Sequence, residues 1–349
     1  MHDYHALKVA AVDHLTPNAV ALTFDIPESL SNMFSFKAGQ YISIKHKING
    51  EEIRRAYSIS SAPSSKKLTV GIKKVAGGTF SVYANEQINA GDILDVMVPE
   101  GRFVFSPNDL VQHVAAFAAG SGITPVMSIA QTVLEANEEN QFVLVYGNQN
   151  PEETMYRKEL LRLQDKYTNR FFIQWIFSRS TEIDSLFGRI ESSTVNLILK
   201  NKFKDVNFSG YYLCGPEAMI NSVTETLQGN GIAKEKIHYE LFTSTDAEDT
   251  LVEVLDGMAQ VEVLLDDETF RFTMDKKALV LDAVLKENID APYSCQGGVC
   301  SSCIARVVEG KAEMVKNQIL TDGEVAEGLI LTCQSHPITP NLKIDYDDV

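Results

Sequence analysis

The sequence predicts a multidomain protein in three parts. An antiparallel β-barrel is expected over residues 1–106 and a doubly wound α/β domain over 107–245. A polar linker at 246–257 then leads to a smaller domain over 258–349. Three observations carry this. The chain has 349 residues, enough for two or three domains. Near residue 106 the apolar pattern changes from short alternating runs to continuous runs separated by helical segments. Finally, three of the five cysteines fall within Tyr293–Cys303, YSCQGGVCSSC.

In the first part the alternating runs are AVALTFDI, QYISIKHKINGEEIRRAYSIS, KLTVGIKKV and DILDVMVPEGRF. Asn49-Gly50, Ala76-Gly77-Gly78 and Gly91-Asp92 break them, as turns between antiparallel strands do. In the second part VAAFAA, FVLVYG, FFIQWIFS and GYYLCG read as buried parallel strands, with IHYELF closing the sheet. SIAQTVLEA, PEETMYRKELLRLQDKY and PEAMINSVTETLQGNG read as the helices between them, which makes βαβ units. The third part opens with AQVEVLLDDETFRFTM, two alternating runs about Asp266-Asp267. The helix ALVLDAVLKEN and the cysteine loop follow.

Cys295, Cys300, Cys303 and Cys333 are spaced C-x4-C-x2-C-x29-C. Three thiolates on one tight loop and a fourth far along the chain is the plant-type arrangement for a [2Fe–2S] cluster. Gly297 and Gly298 let the backbone curl with no Cβ in the way. Zinc is the alternative, but it prefers paired C-x2-C knuckles and only one such pair occurs in this cluster. A bare thiol cluster is the third reading. The fifth cysteine, Cys214, lies elsewhere.

Charge narrows the partners. Residues 1–245 carry 23 Lys+Arg against 26 Asp+Glu, and residues 246–349 carry 8 against 21, so most of the net charge of −16 sits on the cysteine-rich part. That surface repels phosphate, so nucleic acid is not an expected partner. It suits either simple solubility or the steering of a basic protein. MHDYHALKVAAVDHL has no apolar core of a signal peptide, and no run approaches a membrane span. A cytoplasmic protein is expected, where clustered cysteines serve metals or redox chemistry more often than disulfides.

Five short stretches carry chemistry. In RRAYSIS, Arg55 suits a phosphate, Tyr57 points the same way along a strand, and Ser58 offers a hydroxyl to a ring nitrogen. Further on, Gly77-Gly78-Thr79-Phe80-Ser81 precedes a short helix, SVYANEQ, a place for an anion. Each alone reads as a strand and a turn; in this order, ahead of a doubly wound domain, they favour a flavin. VAAFAA runs into Gly120-Ser121-Gly122-Ile123-Thr124-Pro125, where the glycines allow close approach of a pyrophosphate. Thr124 is expected to cap the next helix and Pro125 to take its first position. Cys214-Gly215-Pro216 ends the fourth strand, at the edge where such sheets bind ligands, and Pro216 is expected to start a helix likewise. A small buried core residue is the alternative reading of Cys214. Ser178-Arg179 follows the third strand, with no acidic residue at 178–180 to favour NADH, so NADPH is the expected nucleotide and NADH the alternative.

R-x-Y-S followed by G-G-x-x-S, then G-S-G-I-T-P and C-G-P-x-x-M, resemble the ferredoxin–NADP reductase superfamily. That resemblance implies that Arg55 and Ser81 hold the flavin phosphates, within sites that include Ala56, Gly78, Thr79 and Phe80. Tyr57 would lie along the isoalloxazine, with Ser58 near its reactive nitrogen. It implies FAD, with FMN the alternative. It places Cys214 beside the nicotinamide, Met219 on the helix behind it, Ser178 and Arg179 on a 2′-phosphate, and Glu240 and Phe242 where their strand returns to the flavin. Residues 258–349, with Leu331-Thr332-Cys333, resemble plant-type ferredoxins, which implies a β-grasp fold. The order flavin, nucleotide, ferredoxin resembles reductase components of multicomponent oxygenases, and RAYSIS, GGTFSVYAN, VMVPEGRF and CQGGVCSSC those of ring-epoxidising phenylacetyl-CoA monooxygenases. Thr79 departs from the basic residue expected there. Steroid-hydroxylase reductases share the order. The resemblance implies electron transfer from NADPH through FAD and the cluster to a diiron oxygenase component docking on the acidic domain. Reduction of a Rieske oxygenase or a free carrier is the alternative, and a sensor or scaffold that has lost turnover the second.

Overall fold

The computed structural model describes residues 4–242 and 257–349. They form two compact units, one spanning Tyr4–Phe242 and the other ending the chain. The linker expected at 246–257 lies, apart from Gly257, outside the described residues.

The first unit begins with β1 (Tyr4–Thr16), β2 (Ala19–Asp25), β3 (Tyr41–Ile48), β4 (Glu51–Ser58), β5 (Leu68–Lys73), α1 (Thr79–Glu86) and β6 (Ile93–Met97). The strands pair antiparallel in the order β4-β3-β6-β1-β2-β5, and the bridge Ile59–Val70 links the two edges into a barrel. The run AVALTF on β2 is apolar throughout because its two faces meet two cores. Val20, Leu22 and Phe24 fill the barrel, while Ala19 and Ala21 join a second core shared with the next sheet. The helix after Gly77-Gly78 starts at Thr79, two residues earlier than SVYANEQ implied. Gly78 takes the N-cap in extended backbone, so helical geometry begins at once.

The second sheet follows with β7 (His113–Ala119), α2 (Ile123–Ala136), β8 (Phe142–Asn148), α3 (Arg157–Lys166), β9 (Phe171–Phe177) and β10 (Ser185–Phe187). After α4 (Ser192–Asn196), which runs on as a π-helical stretch Leu197–Lys202, come β11 (Phe208–Cys214), α5 (Glu217–Gly229) and β12 (Ile237–Glu240). All strands are parallel, in the order β10-β9-β8-β7-β11-β12. The chain therefore winds outward from β7 on one side and returns beside it with β11 on the other. The switch between β7 and β11 leaves a crevice at their carboxyl ends, where open sheets of this kind hold ligands. Phe103 and Phe105 from the end of the barrel pack edge-on against Tyr212 of β11. Residues 4–106 and 107–242 thus form one compact unit and share one buried core.

The helix starts correct four expectations. Gly120–Gly122 forms a turn of 3-10 helix, so α2 begins at Ile123 with Gly122 as its N-cap. Thr124 caps nothing: its Oγ1 donates to the Ser121 carbonyl at 3.1 Å. Pro125 falls at the third position of the helix rather than the first, still inside the turn whose N–H groups lack helical acceptors. Pro216 is the N-cap of α5 rather than its first residue. PEETMY, expected as helix, forms turns ending at Tyr156, whose φ of 58° sets the chain on a new course into α3.

The second unit contains β13 (Met258–Leu265), β14 (Glu268–Asp275), α6 (Val280–Lys286), β15 (Ile304–Glu309) and β16 (Ala312–Met314). α7 (Asp322–Ala326), β17 (Leu329–Leu331), β18 (Ser335–Pro337) and β19 (Asn341–Asp345) complete it. The mixed sheet β14-β13-β19-β15-β17 is covered by α6, as in a β-grasp, and β16 pairs with β18 apart from it. The hairpin turn places both Asp266 and Asp267 at positive φ (53° and 62°), and their N–H groups donate to the two carboxylate oxygens of Asp347 at 2.9 Å each. No helix among the described residues is long and apolar enough to cross a membrane.

Candidate functional site

Arg55, Ala56, Tyr57 and Ser58 end β4 on the antiparallel partner of β3, with Ala56 and Tyr57 half-buried. Arg55 is exposed and its Nη1 donates to the Arg54 carbonyl at 2.7 Å, so most of its donors remain for an external acceptor. The Tyr57 ring lies 5.7 Å from that of Phe80, which is buried. Ser81 Oγ accepts from the Val75 N–H at 3.2 Å and folds the loop over the start of α1. A Cβ on Gly78 would stand 2.6 Å from that hydroxyl, so only glycine fits beside it. Thr79 is exposed at the first position of α1. An exposed arginine, a half-buried aromatic face and a glycine-lined helix start make a cradle that suits a flavin and its phosphates.

At the switch point, the two glycine turns touch. β7 and β11 run side by side, with Ala118 opposite Cys214. A Cβ on Gly122 would lie 2.1 Å from the Cys214 carbonyl oxygen, which no real contact allows. A Cβ on Gly215 would meet Met219 Cε at 2.8 Å and Ala119 Cβ at 3.1 Å. The backbones can approach this closely only because both residues lack side chains. Ile123, Thr124 and Pro125 are buried behind them. Gly120, at φ 55°, turns the chain out of the strand. Ser178 and the exposed Arg179 follow β9, their N–H groups bonded to the carbonyls of Asn148 (3.0 Å) and Gln149 (2.8 Å). The exposed guanidinium stands at the same carboxyl edge of the sheet as the glycine turns.

Between cradle and switch point lies one buried polar group. Ser58 Oγ donates to Glu240 Oε2 at 3.1 Å, joining the barrel to the last strand of the second sheet. Glu240 pairs in register with Cys214, which is fully buried. Burial raises the Glu240 carboxyl to about 8, with the Ser58 hydroxyl pulling the other way. Burial, and then the Glu240 charge, push the Cys214 thiol up, so it stays protonated. Three of the expected residues thus meet at a point that holds a proton near neutrality. An acid raised on folding binds its proton more tightly in the folded state, so stability is lost as pH rises from the ordinary carboxylate range toward 8. The loss runs at about 1.4 kcal/mol per pH unit. Glu240→Gln should flatten this slope: between pH 6 and 8 the mutant's melting temperature should change less than the wild type's. Parallel slopes would show that Glu240 titrates normally.

In the second unit the cysteine loop curls through Gln296 and Gly298, both at positive φ (54° and 71°). A Cβ on Gly298 would stand 3.0 Å from the Lys316 carbonyl. The four thiols come together: Cys295 neighbours Cys300 and Cys333, and Cys303 neighbours Cys333. Cys300, Cys303 and Cys333 are buried, and the Gly297 N–H donates to Cys295 Sγ at 3.4 Å. Four converging sulfurs with backbone N–H groups directed at them fit a [2Fe–2S] cluster.

Several residues around the site escaped the sequence reading. Tyr156 is buried, and its hydroxyl shares a 2.8 Å hydrogen bond with Ser60 of the barrel. Ser128 on α2 donates to the Ser61 carbonyl at 2.7 Å. The Lys73 ammonium, at the end of β5, lies 3.9 Å from where a Cβ on Gly120 would stand, a cation over the glycine turn after β7. Lys73 sits in the run KLTVGIKKV, but only the packing of β5 against this turn distinguishes it from a surface lysine.

The chain matches the models of three domain families: the oxidoreductase FAD-binding domain over residues 6–105, the oxidoreductase NAD-binding domain over 117–225 and the 2Fe-2S iron-sulfur cluster binding domain over 263–337. It is 36% identical to a subunit of the 1,2-phenylacetyl-CoA epoxidase of Escherichia coli (strain K12), over 99% of both chains. It is 32% identical to the ferredoxin reductase component of 3-ketosteroid-9-alpha-monooxygenase from Rhodococcus rhodochrous, over 97% of this chain and 96% of the relative. Among solved structures, phthalate dioxygenase reductase has the same fold, with a TM-score of 0.63 at 21% identity over 98% of both chains.

Proposed function

The chain belongs to the ferredoxin–NADP reductase superfamily, as a three-domain reductase with a C-terminal [2Fe–2S] domain, and from that premise we propose that it draws electrons from NADPH for the diiron oxygenase component of a phenylacetyl-CoA epoxidase. That it is an NAD(P)H-dependent electron-transfer reductase follows from its family. The nucleotide, the partner and the residue roles are the proposal. FAD bound in the cradle would supply the exchange of a hydride's two electrons for single ones, and a cluster held by the four cysteines would supply one-electron carriage.

The residues divide the work as follows. Arg55, Ser81 and the start of α1 hold the flavin phosphates, and Tyr57, backed by the buried Phe80, borders the ring. Gly120, Gly122 and Gly215 admit the dinucleotide to the crevice between β7 and β11. Buried Cys214 and Glu240 keep water out at the point of hydride transfer, and Ser58 and Glu240 hold a proton there. Cys295, Cys300, Cys303 and Cys333 ligate the cluster. The observation that carries this reading is the meeting of Ser58, Glu240 and Cys214, which brings flavin side and nucleotide side to one buried spot. The acidic second unit presents the exit surface to its partner, and the protein works in the cytoplasm, where clustered thiols stay reduced.

An anaerobic titration of the purified protein with NADPH and then NADH, followed by visible absorbance, tests the core. Loss of the flavin band together with the broad iron–sulfur bands is expected, with NADPH the better reductant. Protein reconstituted with FAD and iron that shows neither band would overturn the reading. Supply of electrons to a phenylacetyl-CoA epoxidase oxygenase in preference to a steroid or Rieske oxygenase tests the partner. Arg179→Ala should raise KM for NADPH by roughly tenfold or more while barely touching NADH, because only NADPH carries the 2′-phosphate that a guanidinium grips. Equal losses for both would remove Arg179 from that role.

A further inference from the structure

Cys303 and Cys333 are 30 positions apart in the chain, so something must fix their relative placement. The sheet does part of this, through the pairing of Ile304 with Leu331 just outside the two ligands. Closer in, Thr332 grips the Cys303 carbonyl twice, with its N–H at 3.1 Å and its Oγ1 at 3.0 Å. The Oγ1 is itself held by the Tyr346 hydroxyl, which donates to it at 3.0 Å. Tyr346, Thr332, Cys303 and Cys333 are all buried. Tyr346 directly follows β19, the strand between β13 and β15, so its position is set by the centre of the sheet.

We propose that Tyr346 is a positioning residue for the iron–sulfur cluster, acting through Thr332 to lock the Cys303–Cys333 ligand pair. This rests on the reading of the four cysteines as cluster ligands. The physical reason is direct. Thr332 Oγ1 donates its one proton to the Cys303 carbonyl only in a particular rotamer. The Tyr346 proton on the oxygen's lone pair fixes that rotamer in a place water does not reach. Without Tyr346 the buried hydroxyl is left short of a partner, and the cost falls on the bond that positions Cys303.

Tyr346→Phe keeps the ring and removes only the hydroxyl. The holoprotein would be held with excess ferrous chelator, anaerobically and well below its melting temperature, while the cluster's visible absorbance is followed. Iron loss should be about tenfold faster than in wild type, the size expected for one buried hydrogen bond. The electron paramagnetic resonance spectrum of the reduced cluster should also change its anisotropy. Thr332→Val should behave like Tyr346→Phe, and Thr332→Ser, which restores the hydroxyl, should return toward wild type. A tyrosine that merely packs would lower the melting temperature and leave both the chelation rate and the spectrum unchanged, which would overturn the inference. Should Tyr346→Phe fail to take up iron, Thr332→Val against Thr332→Ser decides alone: equal rates overturn it. Wild-type protein without a cluster band would instead overturn the ligand assignment, and the inference with it.

Discussion

Cys300→Ser should separate the two halves of the reaction. NADPH should bleach the flavin of this variant at a rate within about twofold of wild type, while transfer to an acceptor served by the cluster should fall by about a hundredfold or more. The first half survives because Tyr4–Phe242 is a compact unit with its own cores and includes every residue assigned to flavin and nucleotide. The second fails because Cys300 is a buried thiol facing Cys295, with its Sγ 3.7 Å from Ser302 Oγ. A serine hydroxyl there is harder, shorter and far less acidic than the thiol it replaces, and a metal ligand must be deprotonated. Ferricyanide, which can take electrons from flavin directly, gives the control. Its NADPH-dependent reduction should continue in the variant that no longer serves the oxygenase. Transfer to the oxygenase at the wild-type rate would sink the path through the cluster.

How much of this was legible in the sequence depends on whether the information was local. The iron–sulfur domain could be read because the cysteine spacing is distinctive: three cysteines on one curl leave few alternatives. The strands of the second sheet could be read because burial on both faces makes them continuous apolar runs. β1 was missed although it is the longest described strand, because YHALKVAAVDHLT lies largely half-exposed and mixes polar residues at both ends. The edge strand Ser185–Phe187 is three residues long and leaves no period to detect. The capping expectation for Thr124 followed a sound rule and failed for a local reason. Gly120 at φ 55° tightens the chain into 3-10 geometry, which starts the helix before Thr124 is reached.

At the site, the sequence named the motifs but could not show which of them touch. Ser58 and Glu240 are 182 positions apart, and only the placement of β12 beyond β11 brings the carboxylate back to the barrel. The proton held there follows from burial, and burial of a glutamate cannot be seen in IHYELF. Tyr156 and Ser60 are likewise invisible until the barrel and the second sheet are packed. The one element that should have drawn notice is Gly71 in the middle of a strand, KLTVGIKK. A Cβ there would meet Thr124 Cγ2 and the Tyr156 hydroxyl, each at 2.8 Å. A glycine inside a strand commonly marks close approach by another part of the chain.

Gly122→Ala is the severest single test of the proposed nucleotide crevice. Gly122 has φ −61° and ψ −6°, so alanine fits its backbone conformation without strain. What forbids it is space, since the methyl would sit 2.1 Å from the Cys214 carbonyl oxygen and 2.5 Å from the carbon. Both are backbone atoms of β11, so no side chain can rotate away. Relief requires the turn after β7 and the end of β11 to separate by about 1 Å or more, and misplacement on that scale costs a catalytic site roughly a hundredfold. NADPH-dependent flavin reduction should fall by about that factor. FAD content should be unchanged, because the cradle belongs to the barrel, and dithionite, which needs no nucleotide site, should reduce the flavin as fast as in wild type. Gly120→Ala is the matched comparison. Its Cβ would meet only the Lys73 ammonium at 3.9 Å, but φ of 55° strains any side chain, by about 1 kcal/mol. It should therefore lower stability modestly and leave hydride transfer much less affected than Gly122→Ala. If Gly122→Ala instead reduces its flavin with NADPH at the wild-type rate, the contact between the two turns does not shape the site, and the assignment of the crevice between β7 and β11 to the nucleotide fails with it.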